Sequence, residues 1–392
     1  MNNVLSDHEQ ETRRSWLVAC VVGTRPECIK MAPVISALNA SGECRTLVVA
    51  TGQHRELVSQ TLGIFGITPD IDLDLMKPSQ TLSGLTARIL HSFDEVLARH
   101  QPNLVLVQGD TTTVLASAMG AFYRGIPVGH VEAGLRTHDV SSPFPEEFNR
   151  RVAGVVSALH FAPTSGAKSN LLAEGVPGAC VHLTGNTVID ALLDVVRRPD
   201  LPCPFPIHPG RRLLLLTAHR RENHGEPLLN ICAAVRSLLD RFPDVEVVYP
   251  MHPNPRVREA VLPALGNLER AHLIEPVNYL ELAGLLKASY LVLTDSGGIQ
   301  EEAPALGKPV LVLRNETERP EAVAAGVARL VGTDAARIIA EASRVLDDRE
   351  YYHKLARGAS PYGDGKAAER ITRLCVDFLV ARAKFASDPQ LT

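Results

Sequence analysis

The run YLVLTDSGGIQEEAPALGKPVLVL, residues 290–313, contains one full step of the architecture. An apolar strand over 290–294 ends in Asp295-Ser296-Gly297-Gly298, and a helix carrying Glu301 and Glu302 begins at once. A second apolar strand, 309–313, follows the helix. Near-continuous apolar strands joined by helices predict a parallel sheet covered on both faces. Two glycines at a strand-to-helix turn let backbone N–H groups approach an anion. The two acids inside the same helix seem to argue against one.

The same alternation runs through the rest of the chain. Strands are expected at Trp16–Val22, 46–50, Leu104–Gln108, Val128–Val131, 160–162 and Val181–Leu183, with helical stretches such as Thr112–Tyr123 and 165–174 between them. Further on they are expected at 213–217, 245–249, 272–274, 290–294, 309–313 and 328–331. Between the two sets lies RRPDLPCPFPIHPGRR, residues 197–212, with five prolines and no apolar periodicity. The expected division is a frayed tail over 1–14, one doubly wound Rossmann-like domain over 15–196 and a linker over 197–211. A second such domain follows over 212–365, with a terminal helical segment, 366–392, able to pack back on the first. The fold class is α/β, two parallel-sheet domains facing a cleft. No internal repeat or low-complexity tract is present.

Composition narrows the function classes. The 392 residues suffice for two cores, and 45% hydrophobic with 21% charged residues is ordinary for a soluble globular chain. A formal net charge of −4 gives no support for nucleic-acid or membrane-surface partners. Apolar runs are strand-sized, and the polar N-terminus does not read as a signal peptide. Seven scattered cysteines without a CxxC favour neither a disulfide framework nor a zinc site, so a reduced, cytoplasmic setting is the default.

In open α/β sheets ligands sit beyond the carboxyl ends of strands, so the residues after each strand matter most. After Trp16–Val22 comes GTRPECIK, with Arg25 and Lys30 as cations and Pro26 suited to the first helical position. After Leu104–Gln108, GDTTT puts Asp110 at the strand end, where alone it reads as an N-cap. After Val128–Val131, EAGLRTHD supplies Glu132, and the proline-rich loop SSPFPEEFNRR delivers Glu146 and Glu147, which alone could merely complement a helix dipole. Together Asp110, Glu132 and Glu146 fall on one edge of one sheet. Convergent carboxylates are costly unless they share protons or face a cation. In the second half, TAHRRENHG brings His219 and YPMHPNP brings His252. No HxxxH or HxH lies on an expected element, so a metal site is disfavoured. Neither GxxxxGK[ST] nor GxGxxG occurs in a strand–turn–helix context, which disfavours P-loop and nicotinamide chemistry.

Taken in order, GTRPECIKMAPV, TGQH, VQGDTTT, GHVEAGLRT, PFPEEFNR, TGNTVIDAL, AHRREN, DSGGIQEEAPALGKPVLVLRNETERPEA and PYGDGKAAERI resemble the non-hydrolysing UDP-N-acetylglucosamine 2-epimerases over nearly the whole chain. The resemblance implies a GT-B-like fold, a homodimer, and interconversion of UDP-GlcNAc and UDP-ManNAc without metal or other cofactor, supplying ManNAc units for cell-surface polysaccharide. It also implies that Glu302 takes the ribose hydroxyls of UDP, and that Gln53 belongs to a second, regulatory UDP-GlcNAc site. Two residues depart from the family pattern: His138 after GLRT, and Cys28 beside the Arg25 loop.

The chemistry explains the residue types. The C2 hydrogen of a GlcNAc unit is not next to a carbonyl, so UDP must leave first. Oxocarbenium character at C1 then acidifies H2, elimination gives 2-acetamidoglucal, and re-addition with protonation from the opposite face gives the epimer. Arg25, Lys30 and the Ser296-Gly297-Gly298 helix start are the expected holders of UDP. Asp110, Glu132 and Glu146 are the expected proton carriers and charge stabilisers, with His219 contacting phosphate or sugar. A UDP-sugar glycosyltransferase on the same fold and a silent UDP-sugar sensor are the alternatives. The carboxylate set disfavours both.

Overall fold

The computed structural model describes residues 15–52, 55–77, 80–357 and 360–386. They form two compact units. Unit 1 runs to Ala191 and resumes at Gly365, and unit 2 is Leu192–Asp364. The division falls inside one helix, Thr187–Val196, which carries the chain out of unit 1.

Unit 1 holds β1 (Trp16–Val22), β2 (Cys44–Ala50), β3 (Ile71–Asp72), β4 (Leu104–Gln108), β5 (Val128–Val131), β6 (Leu159–Ala162) and β7 (Val181–Leu183). Their order is β3-β2-β1-β4-β5-β6-β7, with every pairing parallel. Unit 2 holds β8 (Arg212–Thr217), β9 (Val245–Pro250), β10 (Ala271–Ile274), β11 (Leu291–Thr294), β12 (Val310–Val312) and β13 (Ala328–Leu330). Their order is β10-β9-β8-β11-β12-β13, again all parallel. Both units therefore have the doubly wound arrangement expected from the alternation. In each the strand order reverses once, between β1 and β4 and between β8 and β11. Loops leaving the two central strands diverge there and open a crevice at the carboxyl edge. The two-residue β3 has no apolar run of its own and was not expected.

The strands read as unbroken apolar runs because both faces of the sheet are buried. Along β1, Val18, Cys20 and Val22 join one core and Ala19 and Val21 the other. The first core includes Met31, Ile35 and Leu38 from the helix Arg25–Ala40. It also includes Ala368, Ile371, Cys375 and Leu379 from the C-terminal helix Ala367–Ala386. Their spacing makes one helical stripe, which buries against the Arg25–Ala40 helix. Ile371→Ala, at a fully buried site, should cost about 2–5 kcal/mol. A lowered urea midpoint, unmatched by the exposed control Arg373→Ala, checks this.

The proline-rich stretch is fastened along unit 2. Lys287 Nζ donates to Val196 O at 2.7 Å, and a Cβ on Gly284 would lie 2.1 Å from Pro202 O. Phe205 is buried with its ring 4.4 Å from that of His272, and His208 Nδ1 lies 2.8 Å from the buried Glu246 carboxylate. All seven cysteines are free, and no helix among the described residues is long and apolar enough to cross a membrane.

Candidate functional site

Glycine is required where β1 ends. A Cβ on Gly23 would sit 2.2 Å from Thr113 Oγ1 and 2.7 Å from Thr51 Oγ1, and these two hydroxyls share a 3.0 Å hydrogen bond. The next helix begins at Arg25 with Thr24 as N-cap, so Pro26 is its second residue rather than its first. Glu27 is buried, and its Oε2 accepts the N–H groups of Gly23 (2.9 Å) and Thr24 (2.5 Å). Its Oε1 accepts from the Thr111 hydroxyl at 2.6 Å, which binds the loop after β1 to the loop after β4. Burial pushes its pKa up against these hydrogen bonds. Arg25 is half-buried and makes no hydrogen bond or ion pair among the described residues.

Asp110 is not the cap of the following helix. Thr111 is, its hydroxyl accepting from Val114 N–H at 3.4 Å. The Asp110 carboxylate instead meets Arg150 Nη2 at 2.9 Å, and its backbone carbonyl accepts from Asn149 Nδ2 at 2.9 Å. Burial raises its pKa to about 6; the Arg150 and Lys30 cations pull the other way, while the Glu132 and Glu146 charges add to the rise. Such a group changes protonation near neutrality, as an acid–base residue requires.

Glu132 follows β5 in the left-handed region at φ +63°, a conformation costing about 1–3 kcal/mol for a non-glycine residue. That turn brings its carboxylate to Lys30 Nζ, at 2.6 Å from Oε1 and 2.7 Å from Oε2. Gln108 Nε2 also donates to Oε2, and Asn186 Nδ2 donates to Oε1 at 3.2 Å. Lys30, expected at the phosphates, is thus the ion-pair partner of Glu132. Glu146 and Glu147 open the helix Glu146–Val156 and divide their work. Glu147 is fully buried and structural, accepting from Thr137 N–H (3.1 Å) and Arg151 Nε (3.1 Å). Glu146 Oε2 is buried without a hydrogen-bond partner among the described residues.

In unit 2 the counterpart crevice is organised by Asp295, at the end of β11. It is fully buried, and its Oδ2 accepts the N–H groups of His219 (2.8 Å) and Arg220 (2.8 Å) and Asn223 Nδ2 (2.9 Å). The His219 ring stacks on His252, centroids 5.4 Å apart and 8° from parallel. Burial lowers the His219 pKa; Asp295 opposes this, and His252, Arg220 and His224 reinforce it. The helix Gly297–Ala305 starts with Ser296 as N-cap, but no side chain caps its N–H groups, and Gly298 is exposed. Glu301 is buried against Arg319, and Thr317 Oγ1 donates to Gln300 Oε1 at 2.6 Å, so the charged loop after β12 is tied to this helix. Glu302 is buried on the same helix.

Gln53 lies outside the described residues. His138 is exposed at φ +65°, the backbone region that favours a small residue there. Cys28 packs wholly in the core and so lines no crevice. Glu27, Gln108, Arg150, Asn186 and Asp295 were given no site role from the sequence. Four are buried polar groups at strand ends or helix starts, and that position is the signal that could have found them. Among the described residues, no group of three or more His, Cys, Asp or Glu side chains could hold a metal ion.

The family model for UDP-N-acetylglucosamine 2-epimerase matches residues 36–375. The UDP-N-acetylglucosamine 2-epimerase of Escherichia coli (strain K12) is 50% identical over 363 residues, covering 90% of this chain and 96% of that one. A crystal structure from Listeria monocytogenes superposes with TM-score 0.88 at 48% identity, covering 94% of this chain and 97% of the other. The Neisseria meningitidis UDP-GlcNAc 2-epimerase, solved bound to UDP-GlcNAc, superposes with TM-score 0.83 at 47% identity, covering 92% and 100%.

Proposed function

The chain belongs to the UDP-N-acetylglucosamine 2-epimerase family, and from that premise we propose that it interconverts UDP-GlcNAc and UDP-ManNAc by the non-hydrolysing course. The observation that carries this reading is the division of labour among three carboxylates at the carboxyl edge of one sheet. Glu132, with Lys30, Gln108 and Asn186 donating to it, is a fixed negative charge suited to an oxocarbenium centre at C1. Asp110, with a pKa of about 6, is ionised at neutral pH and takes H2. Glu146, whose unpartnered oxygen has no other task among the described residues, returns a proton on the opposite face. In unit 2 the uncapped N–H groups after Ser296, at Gly297 and Gly298, receive the UDP phosphates, and Glu302 the ribose. Arg25, without a hydrogen-bond or ion-pair partner for its side chain among the described residues, adds charge to the diphosphate as it leaves. His219 donates a hydrogen bond to phosphate or sugar. No step calls for a metal or nicotinamide. By kinship the enzyme works as a homodimer and feeds ManNAc to a surface polysaccharide.

Incubation with UDP-GlcNAc in D2O, followed at C2 by NMR, tests the reading. UDP-ManNAc carrying deuterium at C2 is expected. Free ManNAc with UDP as the main products would mean hydrolysis, and no exchange at C2 from either substrate would end the proposal.

A pH dependence follows with a definite sign. A base is active ionised, so kcat/KM should fall below about pH 6, tenfold per unit, as Asp110 gains its proton. Arg150→Gln removes the cation that favours the charged form, and the acid limb should move to higher pH. A pH profile of both proteins checks this; an unmoved limb would assign the titration to another group.

A further inference from the structure

We infer that Asn186 is a positioning residue for the Glu132 carboxylate, held in place by the helix through which the chain leaves unit 1. This inference rests on the proposed role of Glu132. Asn186 is buried at the turn between β7 and the helix Thr187–Val196, and its two side-chain ends do different things. Oδ1 accepts from Val188 N–H at 3.1 Å, an N-cap, while Nδ2 donates to Glu132 Oε1 at 3.2 Å. The planar amide couples these ends, so the start of the helix sets where the donor points. The helix start is itself anchored: Asp190 Oδ1 accepts from Ala368 N–H at 2.8 Å, and Arg370 Nη1 donates to Thr184 O at 3.0 Å. The outgoing and returning crossings of the chain are thus joined beside the same carboxylate. Lys30 and Gln108 approach Glu132 from the β1 and β4 sides, and Asn186 supplies the third direction.

Capping and positioning can be separated because several residues cap helices about equally well. Asp and Ser are as good N-caps as Asn. Asn186→Asp keeps the cap but turns a donor into a like charge facing Glu132. Asn186→Ser keeps the cap with a side chain too short to carry an amide to Glu132. If Asn186 positions Glu132, both variants keep the wild-type UDP affinity and KM within about twofold, and Asn186→Ser, which adds no charge, also keeps the melting temperature. Their kcat falls by about 10–100-fold, the scale set by small misplacements of a catalytic group. Asn186→Asp should fall further than Asn186→Ser. Both variants turning over at the wild-type rate would reduce Asn186 to a helix cap and overturn the inference. A loss of kcat in Asn186→Ser matched by an equal loss of melting temperature and UDP affinity would overturn it as well. If Asn186→Asp does not fold, the uncharged Asn186→Ser decides alone. Wild-type turnover is measured first: an inactive wild type defeats the proposed function, whereas an active wild type with fully active variants defeats only this inference.

Discussion

Asp110→Asn is expected to lower kcat by about 10²–10⁴-fold, the range for a positioned acid or base. The amide is nearly isosteric, so the loss reports chemistry rather than shape. Arg150 retains Glu147 at 3.6 Å, and Asn149 bonds the Asp110 backbone carbonyl, which the substitution leaves in place. The fold of unit 1 is therefore expected to persist. UDP binding is proposed for the helix start in unit 2, so UDP affinity measured by calorimetry should change little. Incorporation of deuterium at C2 should fall with kcat. Equal loss of UDP affinity and turnover would instead make Asp110 an element of the scaffold.

Glu132→Gln has the second large effect, and it acts on two quantities at once. The substitution removes the negative charge facing Lys30 Nζ, and breaking a buried pair this way costs about 3–5 kcal/mol. It also removes the fixed charge opposite the developing cation, for which about 10²–10³-fold in kcat is expected. The two effects separate in Lys30→Met/Glu132→Gln. That double variant has no unmatched cation, so most of the lost stability should return, read as the unfolding midpoint. Activity should not return, because the charge is still missing. Recovery of activity with stability would mean that Glu132 serves only as a partner for Lys30.

The architecture was legible in the sequence because burial on both faces of a parallel sheet leaves a local mark. Strands such as Trp16–Val22 and Leu104–Gln108 had to be apolar throughout, and helix-length segments had to separate them. What the sequence left unread lies where local pattern is thin. β3 has two residues and pairs only at one edge, so it left no run to detect. The stretch 197–211 reads as a linker because prolines dominate it, and its contacts through Pro202, Phe205 and His208 are with residues distant in sequence, which no local pattern shows. Lys30 follows Arg25 at a strand mouth, and its pairing was not visible there. Its carboxylate partner lies 102 positions away.

By itself the sequence determined the chain's class and the identity of its chemical groups. It settled two doubly wound units, glycine at the strand-to-helix turns, and three carboxylates after strands of one sheet. Those follow from periodicity and from steric rules that act over a few residues. Only the tertiary structure decided what each group is free to do. Glu132 became a clamped charge, Asp110 a group titrating near 6, Glu147 a buried structural acid and Asn186 a link to the crossing helix. Ionisation and hydrogen bonding depend on burial and on neighbours within a few ångströms. The chain brings those neighbours together from far apart in sequence.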